Sequence, residues 1–302
     1  MNKKSILRTI LLSSITIAIF YFIFTKIDFH SVVEVLSHAN SFYLFIALLL
    51  MTTYIPIIAK RWQTILETMD YKLQYIKCFY VMMGAQPFAS ITPSKSGDIV
   101  KAYYLKDEIP VSKTIGSIVT ERMFDFFTLV LFSLIGMLFS KRYELVGVTF
   151  VIFVFLIAFF LLTCSGFKFR LPIKSSWNEK IQNLTLSMKL LTKDKKVFLT
   201  VMLYSFLIWF LSIVQTLTFF YALGISVPIV FAIANIPIAI FIGFIPVTAG
   251  GMGTRDATII FLFLGYAEPS TLLGVGILFS VFRYLLPSLL GIPFMRKVTI
   301  CK

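Results

Sequence analysis

The sequence predicts an all-α polytopic membrane protein with about six spanning helices and two re-entrant hairpins, and three observations carry that expectation. Residues 197 to 254, 58 positions in a row, contain no charged side chain, a run that two bilayer crossings of about 20 residues each would fill. Hydrophobic residues make up 58% of the chain and charged residues 14%, against roughly 25% charged in a soluble domain, so apolar surface must face lipid. The uncharged run is then interrupted from Pro246 by Gly250, Gly251, Gly253, Arg255 and Asp256 before apolar sequence resumes. A Pro/Gly turn followed by an Arg-Asp pair at that depth is the pattern of a discontinuous helix whose break faces a polar ligand.

The elements follow in chain order. Lys3, Lys4 and Arg8 precede an uncharged stretch from Thr9 to Thr25, which is long for a signal peptide and lacks a small-x-small cleavage site, so an uncleaved anchor is expected. Further apolar spans run from Ala39 to Ala59, Met123 to Ser140, Leu145 to Cys164, Val197 to Leu223 and, broken, from Ser270 to Met295. Between them the segment Cys78 to Thr92 carries Gly84 and Pro87 and is followed by Pro93. Basic loops flank it on both sides, so it is expected to enter and leave on one face; a Pro-kinked spanning helix is the alternative. Pro228 to Ala267 is expected to form a second hairpin from the opposite face. The two hairpins share an order of Pro, small polar residues, a base, Gly and Asp, which points to an inverted repeat. The whole chain, residues 1–302, reads as a single transmembrane domain with halves of roughly 1–140 and 141–302.

The formal charge of +14 would suggest nucleic acid in a soluble protein, but here the bases flank apolar segments and report orientation. Of the 28 Lys and Arg residues, 23 fall in one set of loops and three (Lys26, Lys141, Arg142) in the alternate set, with Arg255 and Arg283 left inside. The positive-inside bias therefore predicts a multi-pass protein of the cytoplasmic membrane with both termini cytoplasmic. Cys78, Cys164 and Cys301 show no C-x-x-C spacing and no nearby His, so no metal, disulfide framework or cofactor is expected. No G-x-x-x-x-G-K-[ST] loop for ATP is found.

Four groups of residues carry chemistry. Ser96-Gly97-Asp98 and Thr254-Arg255-Asp256 read as helix starts beside Lys95 and Arg255, and a helix N-terminus with a base beside it binds phosphate; ordinary capping is the alternative. Lys95, Gly97, Asp98, Gly251, Gly253, Arg255 and Asp256 are thus the candidate headgroup-binding residues, with Asp98 and Asp256 expected in one midplane cavity. Glu121, Arg122 and Asp125 are expected at the opening of a spanning helix, where Glu121, Asp125 and Thr128 share a face and Arg122 can pair with Asp125; an interfacial ion pair that only fixes the helix is the alternative. Arg283 lies near mid-span, at a cost of about 2.5–3.5 kcal/mol, and needs an acid (Asp256, Glu268, Glu121 or Asp125) or an anionic ligand. Ser205, Trp209, Ser212 and Thr216 recur on one face and read as bundle packing.

Together these residues are similar to a known family. Pro93-x-x-x-Gly97-Asp98, Thr120-Glu121-Arg122-x-x-Asp125, Pro246 with Gly250, Gly251, Gly253, Arg255 and Asp256, and the late Arg283 resemble the lysylphosphatidylglycerol synthase transmembrane region, a flippase-like family, over essentially the whole chain. The family's acid after each Gly motif is commonly Glu, whereas both are Asp here. The resemblance implies a lipid-handling domain that, in fused members, translocates aminoacylated phospholipid made by a soluble synthase. The 302 residues hold no stretch of synthase character, so aminoacyl transfer is not carried over. The functional expectation is a lipid translocase that binds an anionic phospholipid or polyprenyl-phosphate-linked headgroup, not an enzyme, with a lipid- or glycan-modifying enzyme as a partner. A membrane enzyme on lipid headgroups, or a partner subunit of one, is the alternative.

Overall fold

The computed structural model describes residues 29–92, 95–140, 143–164, 189–245, 248 and 250–300. Among these residues all regular structure is helical: α1 (Phe29–Ser37), α2 (Ser41–Glu67), α3 (Tyr75–Ile91), a 3-10 turn (Ser96–Ile99) running into α4 (Val100–Tyr104), α5 (Val111–Ser140), α6 (Tyr143–Cys164), α7 (Lys195–Ala222), α8 (Ile229–Gly243), α9 (Thr254–Phe263), α10 (Pro269–Ser280) and α11 (Leu286–Ile300), the last two joined by a π turn (Val281–Leu285). Among the described residues four stretches are long and apolar enough to cross a bilayer: Ser41–Glu67, Val111–Phe139, Lys195–Ala222 and Pro269–Lys297. Of the six expected spans, Thr9–Thr25 lies outside the described residues. The span expected over Leu145–Cys164 corresponds to α6, a helix of 22 residues with no charged side chain from Leu145 onward.

Two boundaries differ from expectation for one reason. The first crossing was expected to end at Ala59, before Lys60 and Arg61, but α2 continues to Glu67. The next was expected to open near Met123, yet α5 begins at Val111 and is 30 residues long. Glu121, Arg122 and Asp125 therefore lie well inside a helix rather than at its opening. Charged residues stop a helix from entering lipid only when they lack partners; here the charges on α2 and α5 face one another.

Polar side chains set the register of the bundle. The antiparallel α2–α7 pair is held by Gln215, which donates to the Ala47 carbonyl at 2.8 Å and accepts from the Tyr54 hydroxyl at 3.3 Å. At one end of that pair the Asn40 N–H donates to the Ala222 carbonyl at 2.8 Å. α3 lies along α11, where the Ser90 and Ser288 hydroxyls meet at 2.7 Å. α8 lies along α5, with the Phe126 ring between Phe241 and Phe244 at 5.6 and 5.5 Å.

Two segments fold back on themselves as helical hairpins. In the first, the chain reverses after α3, and the 3-10 turn and α4 run back along it: the Tyr104 hydroxyl donates to the Gly84 carbonyl at 3.4 Å. Its feet are tied by Lys77 and Glu108 at 2.5 Å. In the second, α9 returns along α8, with the Phe231 ring 5.3 Å from Phe263 and 4.8 Å from Tyr266. Each reversal depends on a glycine where a Cβ would collide with backbone, Gly97 against Phe88 and Gly251 against Gly243. Gly251 also has φ +72°, a conformation other residues rarely adopt.

The feet of the two hairpins sit at opposite ends of α2. Those of the first pack with Trp62 and Leu66, near its C-terminus. Those of the second follow Ala222, which bonds to Asn40 at its N-terminus. The tips meet midway, where the Gly250 N–H donates to the Thr92 carbonyl at 3.4 Å.

Candidate functional site

Where the first hairpin's tip meets α2 and α5, six charged side chains close into a ring of alternating sign. Arg61 reaches Glu121 at 3.3 Å, Glu121 reaches Lys101 at 3.3 Å, and Lys101 reaches Asp98 at 3.6 Å. Asp98 then meets Arg122 at 3.1 Å, Arg122 meets Asp125 at 3.0 Å, and Asp125 returns to Arg61 at 2.7 Å. Each contact uses a different carboxylate oxygen, so all six oxygens of Asp98, Glu121 and Asp125 are engaged. Three cations against three carboxylates leave the ring neutral. Glu121 is 0% and Arg61 1% exposed, burial that is tolerable because every charge has two opposite neighbours.

Surrounding groups hold the ring in place. The Trp209 indole donates to Asp125 at 2.8 Å, and Arg61 donates to the Ser205 hydroxyl at 3.0 Å, so both residues on that face of α7 belong to the polar network. The Lys101 ammonium lies 4.9 Å over the Trp62 ring, whose indole is fixed by Ser117 at 3.0 Å.

The ring forms one wall of a cavity lined also by Gln86, Lys95, Trp209 and Arg283. Its volume of about 30 Å³ is room for waters or a small oxyanion, not for a whole lipid. Arg283 enters from the π turn between α10 and α11 and is 6% exposed. Its guanidinium stacks on Tyr54 at 4.5 Å and Trp209 at 5.1 Å, and its Nη1 has no hydrogen-bond partner among the described residues. None of the four acids expected as its partner pairs with it among the described residues. Lys95, at the hairpin tip with φ 54°, lies 5.3 Å over the Tyr284 ring and likewise has no carboxylate partner among those residues.

The second tip is built differently. Arg255 donates from Nε to Asp256 at 2.9 Å and from Nη2 to the Gly276 carbonyl at 3.0 Å and the Ser280 hydroxyl at 2.7 Å. Its guanidinium also stacks on Phe279 at 4.2 Å. Asp256 accepts the Gly253 N–H at 2.9 Å, capping α9. Arg255 and Asp256 thus tie the second hairpin to α10 and are absent from the cavity lining. The tips of the two hairpins touch, but the expectation of Asp98 and Asp256 in one cavity is corrected: the short Asp256 side chain is turned back onto its own helix start.

Of the sequence-predicted residues, the structure brings Lys95, Asp98, Glu121, Arg122, Asp125 and Arg283 together, with Gly97 behind them as a close-approach position. Gly251, Gly253, Arg255 and Asp256 form the separate knot. Arg61 and Lys101 were counted among the 23 loop bases, and with Lys95 and Arg122 they turn inward; 23 less these four leaves 19 against 3, so the asymmetry persists. A signal for Arg61 was present: buried Met51, Tyr54, Ile55, Trp62, Ile65 and Leu66 continue one helical stripe past it. Lys101 had none, since nothing local distinguishes it from Lys106 or Lys113.

Residues 6–291 match the model of the lysylphosphatidylglycerol synthase transmembrane region. The chain is similar to a UPF0104 membrane protein of Methanocaldococcus jannaschii, 26% identical with 96% of this chain and 95% of that protein covered. It is similar also to a UPF0104 membrane protein of Methanothermobacter thermautotrophicus, at 22% identity over 94% of this chain and 92% of that protein, and to one of Pyrococcus horikoshii, at 21% over 86% and 88%. With helices long enough to cross a bilayer and a match over nearly its whole length, this multi-pass membrane protein belongs to the family of the lysylphosphatidylglycerol synthase transmembrane region.

Proposed function

We propose that the protein is a lipid translocase that binds an anionic headgroup in the cavity between the first hairpin's tip and the last helical rod. The observation that carries this reading is the cation surplus: five cationic side chains, Arg61, Lys95, Lys101, Arg122 and Arg283, stand against three carboxylates that are all engaged in the ring. An unbalanced cation in a low-dielectric interior is costly, and a bound anion offsets that cost. Arg283 offers a planar fork suited to phosphate oxygens, and Lys95 a point charge.

In this reading both hairpins are re-entrant and approach the midplane from opposite faces, with the termini and the first hairpin's feet on the cytoplasmic side. The tips are joined at Gly250 and Thr92 by a long hydrogen bond, a closure weak enough to part as a headgroup passes. The cavity takes only the headgroup's phosphate while the chains remain in lipid.

The test is reconstitution into vesicles with a fluorescent anionic phospholipid, measuring how fast the label becomes accessible from the outer face. Wild-type protein should speed that exposure. Arg283→Ala should slow it about 10- to 100-fold, the equivalent of the ~1.5–3 kcal/mol of a hydrogen bond to a charged group. Unchanged rates in a folded Arg283→Ala protein would sink the proposal.

A further inference from the structure

The charge accounting around the cavity narrows the headgroup further, on the basis of the headgroup-site reading above. In the ring, Arg61, Lys101 and Arg122 balance Asp98, Glu121 and Asp125, and no carboxylate oxygen is left over. Two cations remain, from elements far apart in sequence that converge on one void: Lys95 on the first hairpin's tip and Arg283 on the π turn. We propose that the cavity selects a doubly charged phosphate group, a phosphomonoester or pyrophosphate at the end of a lipid, over headgroups of single negative, zero or positive charge.

The selection is electrostatic in origin. A phosphodiester brings one negative charge and neutralises one of the two cations, leaving the other unbalanced. A phosphomonoester carries about −1.5 to −2 at neutral pH with three acceptor oxygens. Two oxygens suit the Arg283 fork, and the third is left for the Lys95 ammonium. An aminoacylated headgroup meets the opposite situation, because its ammonium would need a free carboxylate and those lining the cavity are saturated. The Tyr54 and Trp209 rings, stacked on Arg283 at 4.5 and 5.1 Å, hold its fork in place without consuming its charge.

The experiment compares binding of purified, detergent-solubilised protein to four probes by native mass spectrometry and thermal shift: phosphatidic acid, phosphatidylglycerol, phosphatidylcholine and soluble pyrophosphate. Phosphatidic acid should bind at least ~10-fold more tightly than phosphatidylglycerol, a step of about 1.4 kcal/mol, and phosphatidylcholine should not compete. Lys95→Gln and Arg283→Lys, checked for monodispersity, should each reduce that preference. Equal affinity for phosphatidic acid and phosphatidylglycerol would overturn the dianion inference and leave the anionic-headgroup reading standing. Equal affinity for phosphatidylcholine would overturn both. Pyrophosphate bound tightly while no lipid is retained would keep the double charge, move its source to a soluble phosphate and overturn the lipid assignment.

Discussion

The two hairpin tips begin from similar sequence and arrive at opposite uses of it. In Lys95-Ser96-Gly97-Asp98 the acid reaches outward, to Lys101 at 3.6 Å and Arg122 at 3.1 Å, and the base is left over a tyrosine ring beside the cavity. In Gly253-Thr254-Arg255-Asp256 the base is paired at once: Asp256, the Gly276 carbonyl and Ser280 take its Nε and Nη2 donors. The difference comes from what each tip faces. The first meets two helices that carry charge in their middles, Arg61 on α2 and Glu121, Arg122 and Asp125 on α5, so its acid finds partners elsewhere. The second packs against α10, which is apolar apart from its backbone and hydroxyls and can only accept from the guanidinium. A shared motif therefore specifies a chain reversal, held by Gly97 in one tip and Gly251 in the other, and leaves the chemistry to the neighbours.

The contrast can be broken most directly at the bases. Arg255→Ala strands Asp256 in the interior and should cost about 3–5 kcal/mol, the usual penalty for halving a buried pair, read as a loss of thermal stability in detergent. Lys95→Ala removes no ion pair and should leave stability within about 1 kcal/mol while impairing lipid exposure. Equal stability losses in the two variants would erase the distinction between a knot and an open site. A stability loss smaller than that of Arg255→Ala is expected at the first tip's acid. Asp98→Asn keeps the shape but deprives Lys101 and Arg122 of one charged acceptor, at about 1.5–3 kcal/mol; no loss of stability would mean that the ring does not act as a unit. Smallest of all is Lys77→Ala at the hairpin's feet. The Lys77–Glu108 pair is substantially exposed, so its removal should cost about 0.2–1 kcal/mol, and a larger loss would locate the hairpin's stability at its base instead of its tip.

The sequence by itself determined the solvent and the class of fold. A chain of 58% hydrophobic residues that concentrates its charges at the ends of apolar runs must place helices in lipid, because lipid leaves helices as the way for such segments to satisfy their backbone. Gly97 and Gly251 marked where the chain turns, since backbone geometry is a local property. Asp125 and Arg122 were legible as partners because three residues on a helix share a face. What only the tertiary structure decided is which charges are loop bases and which are site residues. Lys60 and Arg61 are neighbours in sequence, yet Lys60 donates to Gln63 at 2.8 Å near the surface while Arg61 is sealed between Glu121 and Asp125. The partners of Arg61 lie 60 and 64 residues away, beyond the reach of any local pattern. That Arg283 has no carboxylate partner among the described residues likewise follows from the ring's having engaged Asp98, Glu121 and Asp125. Ion pairing inside a membrane is a competition among all the charges that the fold brings together, and its outcome depends on distances that exist only once the helices have packed.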